Sequence, residues 1–182
     1  MRALVWIIFL LFLDLATKYL FRFSEHSWGL PLVLIEGYLY VDEVFFNYGN
    51  VFAGSHGPEG VSTLSNMISY LIGIVAILGA SIAIISREVE GEGFGLTLSP
   101  IILISGILGN LCERFYYGNV CDWLTITRPE VSYFVAINLA DIFIFFGLLG
   151  FTFVVAKTLR GRLIWVGLVT TQILWLLQNI IF

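Results

Sequence analysis

Phe134-Val-Ala-Ile-Asn-Leu-Ala-Asp-Ile-Phe-Ile-Phe-Phe-Gly-Leu-Leu-Gly150 is an apolar run interrupted by one asparagine and one acid, Asn138 and Asp141. Continued to Ala156, the run is 23 residues long, enough to cross about 30 Å of hydrocarbon as a helix. Asp141 falls seven residues into it. A carboxylate near the centre of such a helix costs about 2.5–3.5 kcal/mol on insertion scales, so an intramembrane acid marks a functional site by default. A second acid, Asp122, stands one short loop upstream. Two carboxylates meeting at one membrane depth point to aspartate chemistry in or at a bilayer.

The rest of the chain has the same character. Hydrophobic residues make up 59% of it, which sets the class as an integral membrane protein. Five segments read as spans: 3–21, about 64–85, about 96–111, 134–156 and 163–182. None alternates as an outer-membrane barrel strand does, so they read as helices. The expected fold is an all-α polytopic membrane protein with a four-helix core. The segment 163–182 adds a fifth C-terminal helix or a surface-lying tail. Residues 1–182 form a single domain, with no room for a separate soluble one. A net charge of −4 argues against a nucleic-acid partner. Cys112 and Cys121 lack metal-type spacing and read as small buried apolar residues. Apolar residues continue from the N-terminus to Phe21 with no small-x-small cleavage site, so the first span reads as an uncleaved helix.

Charge sets the expected orientation. Arg2 precedes the first span, Arg87 follows the second, and Lys157, Arg160 and Arg162 crowd the fourth connection. With those ends cytoplasmic, the first and third loops face outward and the N-terminus is inside. Asp14 lies about seven residues before the outer end of the first span, and Asp141 seven after the outer start of the fourth. At 1.5 Å per residue, both sit roughly 10 Å below the outer surface. In the first outer loop, Val33-Leu-Ile, Tyr38-Leu-Tyr-Val and Val44-Phe-Phe-Asn-Tyr read as short strands of a small sheet on the outer face. In the third loop, Tyr116-Tyr-Gly-Asn119 is a turn and Val120-Cys-Asp-Trp-Leu124 is extended. That turn folds Asp122 back over the bundle toward Asp141.

Four polar clusters stand at the expected outer ends of the helices. They are Asp14-Leu-Ala-Thr-Lys18; Asn47-Tyr-Gly-Asn-Val-Phe52; Gly109-Asn-Leu-Cys-Glu-Arg114 with Gly118-Asn-Val-Cys-Asp122; and Asn138-Leu-Ala-Asp141. In this order they resemble the lipoprotein signal peptidases, or signal peptidase II, over residues from about 5 to 157. That family shows D-x-x-x-K, N-x-G-x-x-F, G-N-x-x-D-R with G-x-V-x-D, and F-N-x-A-D. The resemblance implies a bacterial inner-membrane aspartic endopeptidase with its active site toward the outer leaflet. Such enzymes cut the signal peptide from prolipoproteins just before a cysteine carrying diacylglycerol, with two aspartates, no metal and no cofactor. The implied partners are the lipid-modified prolipoprotein and membrane lipid. Asp122 and Asp141 become the catalytic pair. Asp14, Lys18, Asn47, Gly49, Phe52, Asn110, Arg114, Asn138 and Ala140 become substrate-binding or supporting residues. Three departures stand out: Glu113 replaces the aspartate before the motif arginine, Asn50 and Val51 replace small residues, and Ile137 replaces phenylalanine.

Spacing supports several of these roles. Asn138 and Asp141 are three apart and share a helix face, Asn110 and Arg114 are four apart, and Asp14 and Lys18 form an i, i+4 pair. Paired carboxylates share one proton, leaving one to accept a proton from water and the other to polarise a carbonyl. The competing readings are a proton relay or small transporter using Asp14, Lys18 and Asp141, and a structural or inactive relative that only binds the lipid substrate. A transporter requires acids spread through the membrane depth. Here they gather near one face. Steps such as Ala76-x-x-x-Ala80 suit packing within a monomer as well as between copies.

Overall fold

The structure, a computed structural model, describes residues 2–23, 32–48, 63–89, 97–128 and 131–155. The elements run α1 (Arg2–Phe23), β1 (Leu32–Ile35), β2 (Leu39–Asn47), α2 (Thr63–Val89), α3 (Leu98–Tyr117), β3 (Val120–Arg128), β4 (Val131–Ile137) and α4 (Leu139–Val155). The expected C-terminal segment 163–182 lies outside the described residues.

α1 wears its polarity inside out. Leu4, Val5, Trp6, Ile8, Phe9 and Phe12 are exposed, while Asp14 and Lys18 are 0% and 1% exposed. A helix in water would reverse this, because burying a charge is costly and burying leucine is favourable. In lipid, the apolar face needs no cover and the charges need each other. α1 and α3 are both long and apolar enough to cross a membrane, and the apolar stretches Tyr70–Ile82 of α2 and Leu139–Thr152 of α4 are shorter.

α3 is the central helix, touching α1, α2 and α4. Its approach to α4 is close enough to require glycine. A Cβ on Gly106 would strike the Ala140 carbonyl and the Ile144 amide, and one on Gly147 would strike the Leu103 backbone. Close backbone contact through small residues is how helices associate where lipid supplies no hydrophobic drive. The apolar core is Ala3, Ala80, Ile84, Ile101, Leu103, Ile104 and Ile107.

The four strands form one antiparallel sheet in the order β1-β2-β3-β4. The extended runs expected in the first loop become β1 and β2, and the third loop contributes β3 and β4 to the same sheet. α3 ends at Gly118, whose φ of 73° lets its N–H reach the Arg114 carbonyl at 3.0 Å. β3 begins two residues later, so Asp122 is delivered directly above the end of α3.

One expectation is corrected. The apolar run from Phe134 is not helical throughout: Val131–Ile137 is strand β4, and the helix starts at Leu139. Phe134-Val-Ala-Ile137 carries β-branched and aromatic residues that suit a sheet, and Asn138 then caps the helix. Asp141 therefore sits in the first turn of α4 and not deep within a 23-residue span.

Candidate active site

The N-terminus of α4 organises the site. Asn138 Oδ1 accepts the Asp141 N–H at 3.0 Å, and Asp141 Oδ2 accepts the Asn138 N–H at 3.1 Å. This reciprocal pair is a capping box, with Asn at the N-cap and an acid three residues on. It fixes the Asp141 carboxylate and leaves the Asn138 side-chain N–H free of the helix. That amide donates to Asp122 Oδ1 at 2.5 Å. One asparagine thus joins both aspartates.

Each carboxylate has a second anchor. Asn47 Nδ2 donates to Asp122 Oδ2 at 3.2 Å. The register explains this, because Phe45 pairs with Asp122 and Asn47 with Val120, making Asn47 and Asp122 diagonal neighbours on one face. Asn110 Nδ2 donates to Asp141 Oδ1 at 2.8 Å. Asn110 Oδ1 in turn accepts from Lys18 Nζ at 2.7 Å. Lys18 completes its shell with Asp14 at 2.9 Å and Glu113 at 3.6 Å. Asp14 Oδ1 accepts the Ala140 N–H at 2.8 Å, which puts Asp14 and Asp141 at one level. A Cβ on Gly109 would collide with Asp14 Oδ2, so α3 needs glycine where the carboxylate crosses it.

Asp122 is 3% exposed. Burial first, and the Asp141 charge second, push its carboxyl up to about 8, against the opposing pull of the Asn138 and Asn47 amides and Lys18. Near neutral pH it holds a proton. Burial, with Glu113 beside it, pushes the Cys121 thiol up to about 12. That excludes it as a thiolate nucleophile near neutral pH. Cys112 and Cys121 are both free; Cys121 is buried as expected, whereas Cys112 is exposed. Among the described residues no group of three His, Cys, Asp or Glu is placed to hold a metal ion.

The structure thus gathers Asp14, Lys18, Asn47, Asn110, Asp122, Asn138, Ala140 and Asp141 into one connected network. Gly49 and Phe52, like Asn50 and Val51, lie outside the described residues. Arg114 is half-buried. No hydrogen bond joins its side chain to Asp122 among the described residues. Among the described residues, Lys18 pairs with Asp14 and reaches Asp141 through Asn110.

Sequence reasoning missed Arg22. Its Nη2 donates to Glu113 Oε1 at 2.9 Å and to Asn119 Oδ1 at 2.8 Å. Glu113, one of the departures from the family pattern, is fully engaged. The missing signal was spacing: Asp14, Lys18 and Arg22 recur every four residues on one stripe of α1.

The chain is similar to known proteins. The family described as Signal peptidase (SPase) II matches residues 6–157. The lipoprotein signal peptidase of Pseudomonas aeruginosa (strain UCBPP-PA14) is 30% identical over 140 residues, covering 75% of this chain and 78% of that protein. That of Clostridium novyi (strain NT) is 27% identical over 141 residues, covering 78% and 88%. A solved bacterial membrane enzyme shares the fold with a TM-score of 0.62 at 19% identity, over 86% of this chain and 93% of that one.

Proposed function

Because the chain belongs to the signal peptidase II family, proteases that remove the signal peptide from prolipoproteins, we propose that Asp122 and Asp141 carry out that cleavage here. The observation that carries the assignment is the convergence of two carboxylates, the buried Asp122 and the half-buried Asp141, on Asn138. Their surroundings divide the labour. Asp141 lies in the first turn of α4, takes N–H bonds from Asn110 and Asn138, and is linked through Asn110 to Lys18. A helix N-terminus and charge-assisted donors favour negative charge, so Asp141 is the ionised member. Asp122 holds the shared proton.

In the reaction, Asp141 accepts a proton from the attacking water while Asp122 donates a hydrogen bond to the scissile carbonyl. The developing oxyanion is stabilised by the Asp122 proton, and as the tetrahedral species collapses Asp141 passes the proton taken from water to the departing amide nitrogen, which restores the starting protonation of the pair. Lys18 and Asp14 hold Asn110 and the α4 N-terminus in place and do not reach the peptide themselves. The substrate bond is the one just before the diacylglyceryl-modified cysteine, whose acyl chains lie in the bilayer beside the exposed apolar faces of the helices.

We further propose an inner-membrane protein with its N-terminus cytoplasmic and its site toward the outer leaflet. Arg2 at the start of α1 and Arg87 at the end of α2 support this orientation, as do the five acids Glu25, Glu36, Asp42, Glu43 and Glu59 of the first loop. The test is incubation of the purified chain with a diacylglyceryl-modified prolipoprotein. Release of the signal peptide is expected, with none from Asp141→Asn. Normal turnover by that variant would remove Asp141 from the mechanism. The transporter reading is disfavoured because the acids on α1, β3 and α4 converge at one level.

A further inference from the structure

β3 is supported unevenly. β2 pairs with it from Val120 onward, but β4 pairs with it only from Leu124. Among the described residues, the portion that bears Asp122 therefore has no strand on its β4 side. Cys121 is 0% exposed, and a buried backbone N–H without a partner is seldom tolerated. Here the Cys121 N–H donates to Glu113 Oε2 at 2.8 Å. A side-chain carboxylate from α3 stands in for the missing strand.

The carboxylate is itself held. Glu113 is 4% exposed, and its other oxygen accepts from Arg22 Nη2 at 2.9 Å. The same Nη2 bonds Asn119 Oδ1 at 2.8 Å, in the turn that leads into β3. The guanidinium lies 4.1 Å from the Tyr117 ring centroid and 4.9 Å from that of Phe46, cation–π geometry that fixes its plane. Arg22 thereby ties the outer end of α1, the end of α3, the turn and β2 to one point.

We infer that Arg22 and Glu113 are positioning residues that hold the Asp122 segment of β3 in register with Asn138 and Asp141; the inference rests on the dyad reading above. Glu113 fixes Cys121, the residue before Asp122, and strand alternation then turns Asp122 to the opposite face. The longer side chain at position 113, where the family pattern has aspartate, is matched to an arginine on α1.

The test is steady-state cleavage of a lipidated prolipoprotein by the full-length chain in lipid nanodiscs. Glu113→Ala and Arg22→Ala are expected to lower kcat roughly 10- to 100-fold, the scale of a displaced catalytic group, with KM unchanged. Arg22→Lys keeps the ion pair but not the planar fork, and should fall between. The double variant should be no slower than Glu113→Ala alone, since the two act as a unit. Hydrogen exchange should show the Cys121 amide deprotected in Glu113→Ala while the β2–β3 pairing at Leu124–Ile126 stays protected. A purely structural role would lower the melting temperature and leave kcat of the folded fraction intact; that result, or an additive double variant, overturns the inference. Asp122→Asn is measured alongside: if it still cleaves, the dyad reading fails. If it is dead while folded Glu113→Ala runs at the wild-type rate, only the clamp fails. Should Glu113→Ala not insert, Glu113→Gln and Arg22→Gln are judged by the same kcat criterion.

Discussion

Replacing Asp122 by asparagine should abolish cleavage and make the protein harder to unfold. The carboxyl is 3% exposed, and burial followed by the Asp141 charge pushes it from 3.8 up to about 8. At neutral pH the folded chain keeps a proton that the unfolded chain releases, so folding takes one up. The stability from this group is fully present below pH 3.8 and is lost as pH rises toward about 8. Across the roughly three pH units between the unfolded value and pH 7, at about 1.36 kcal/mol each, the loss is on the order of 4 kcal/mol. An amide does not titrate and escapes that loss. Its carbonyl can face the Asn138 amide, while its NH₂ meets the Asn47 amide, a mismatch worth about 1 kcal/mol. The net gain is about 3 kcal/mol, or roughly 6–12 °C in Tm for a chain of this size. The assay is thermal unfolding of both proteins in one detergent from about pH 4 to 8, beside a cleavage assay in which the variant loses about 10³-fold or more. The Tm gap should widen with pH and close near pH 4. Equal melting temperatures at pH 8, or a gap that widens toward acid, would refute the reasoning.

Wild-type cleavage should fall as pH rises through about 8, where Asp122 loses its proton; a rate still climbing well above that pH would exclude Asp122 as the proton-bearing partner. Gly109→Ala should lower both activity and stability, the latter by about 1–3 kcal/mol, because the new methyl collides with Asp14 Oδ2 and displaces it from Ala140; unchanged turnover and melting would show that the helices yield there freely. An unlipidated precursor should be cut poorly, since each buried CH₂ of an acyl chain contributes about 0.8 kcal/mol to anchoring; equal kcat/KM on both forms would disprove lipid anchoring. Truncation after Arg162 should leave peptidase activity largely intact, because no motif residue follows it; a folded but inactive truncate would bring the C-terminal segment into the site.

What the sequence disclosed was local, and what it hid was the matching of distant stripes. Asp14 and Lys18 were legible as an i, i+4 pair, and the Tyr116–Asn119 turn and the extended segment after it followed from glycine and β-branched residues. The start of α4 was misread because hydropathy does not distinguish a strand from a helix in Phe134-Val-Ala-Ile137. The distinguishing mark was already there: asparagine with an acid three residues later is the capping signature. Read that way, Asn138 begins a helix, and Asp141 belongs to its first turn, where the dipole helps hold its charge. Arg22 was hidden for a different reason. It continues the four-residue stripe of Asp14 and Lys18 on α1, but its partner Glu113 is 91 positions away on α3. α3 presents a matching stripe of Gly106, Gly109, Asn110 and Glu113, two glycines that admit close neighbours and two polar groups that meet Lys18 and Arg22. In a lipid-facing bundle the polar residues of each helix mark the buried face, so the pairing of α1 with α3 follows from laying one polar stripe against the other. Hydrophobic periodicity, the usual guide in water, marks the outside here.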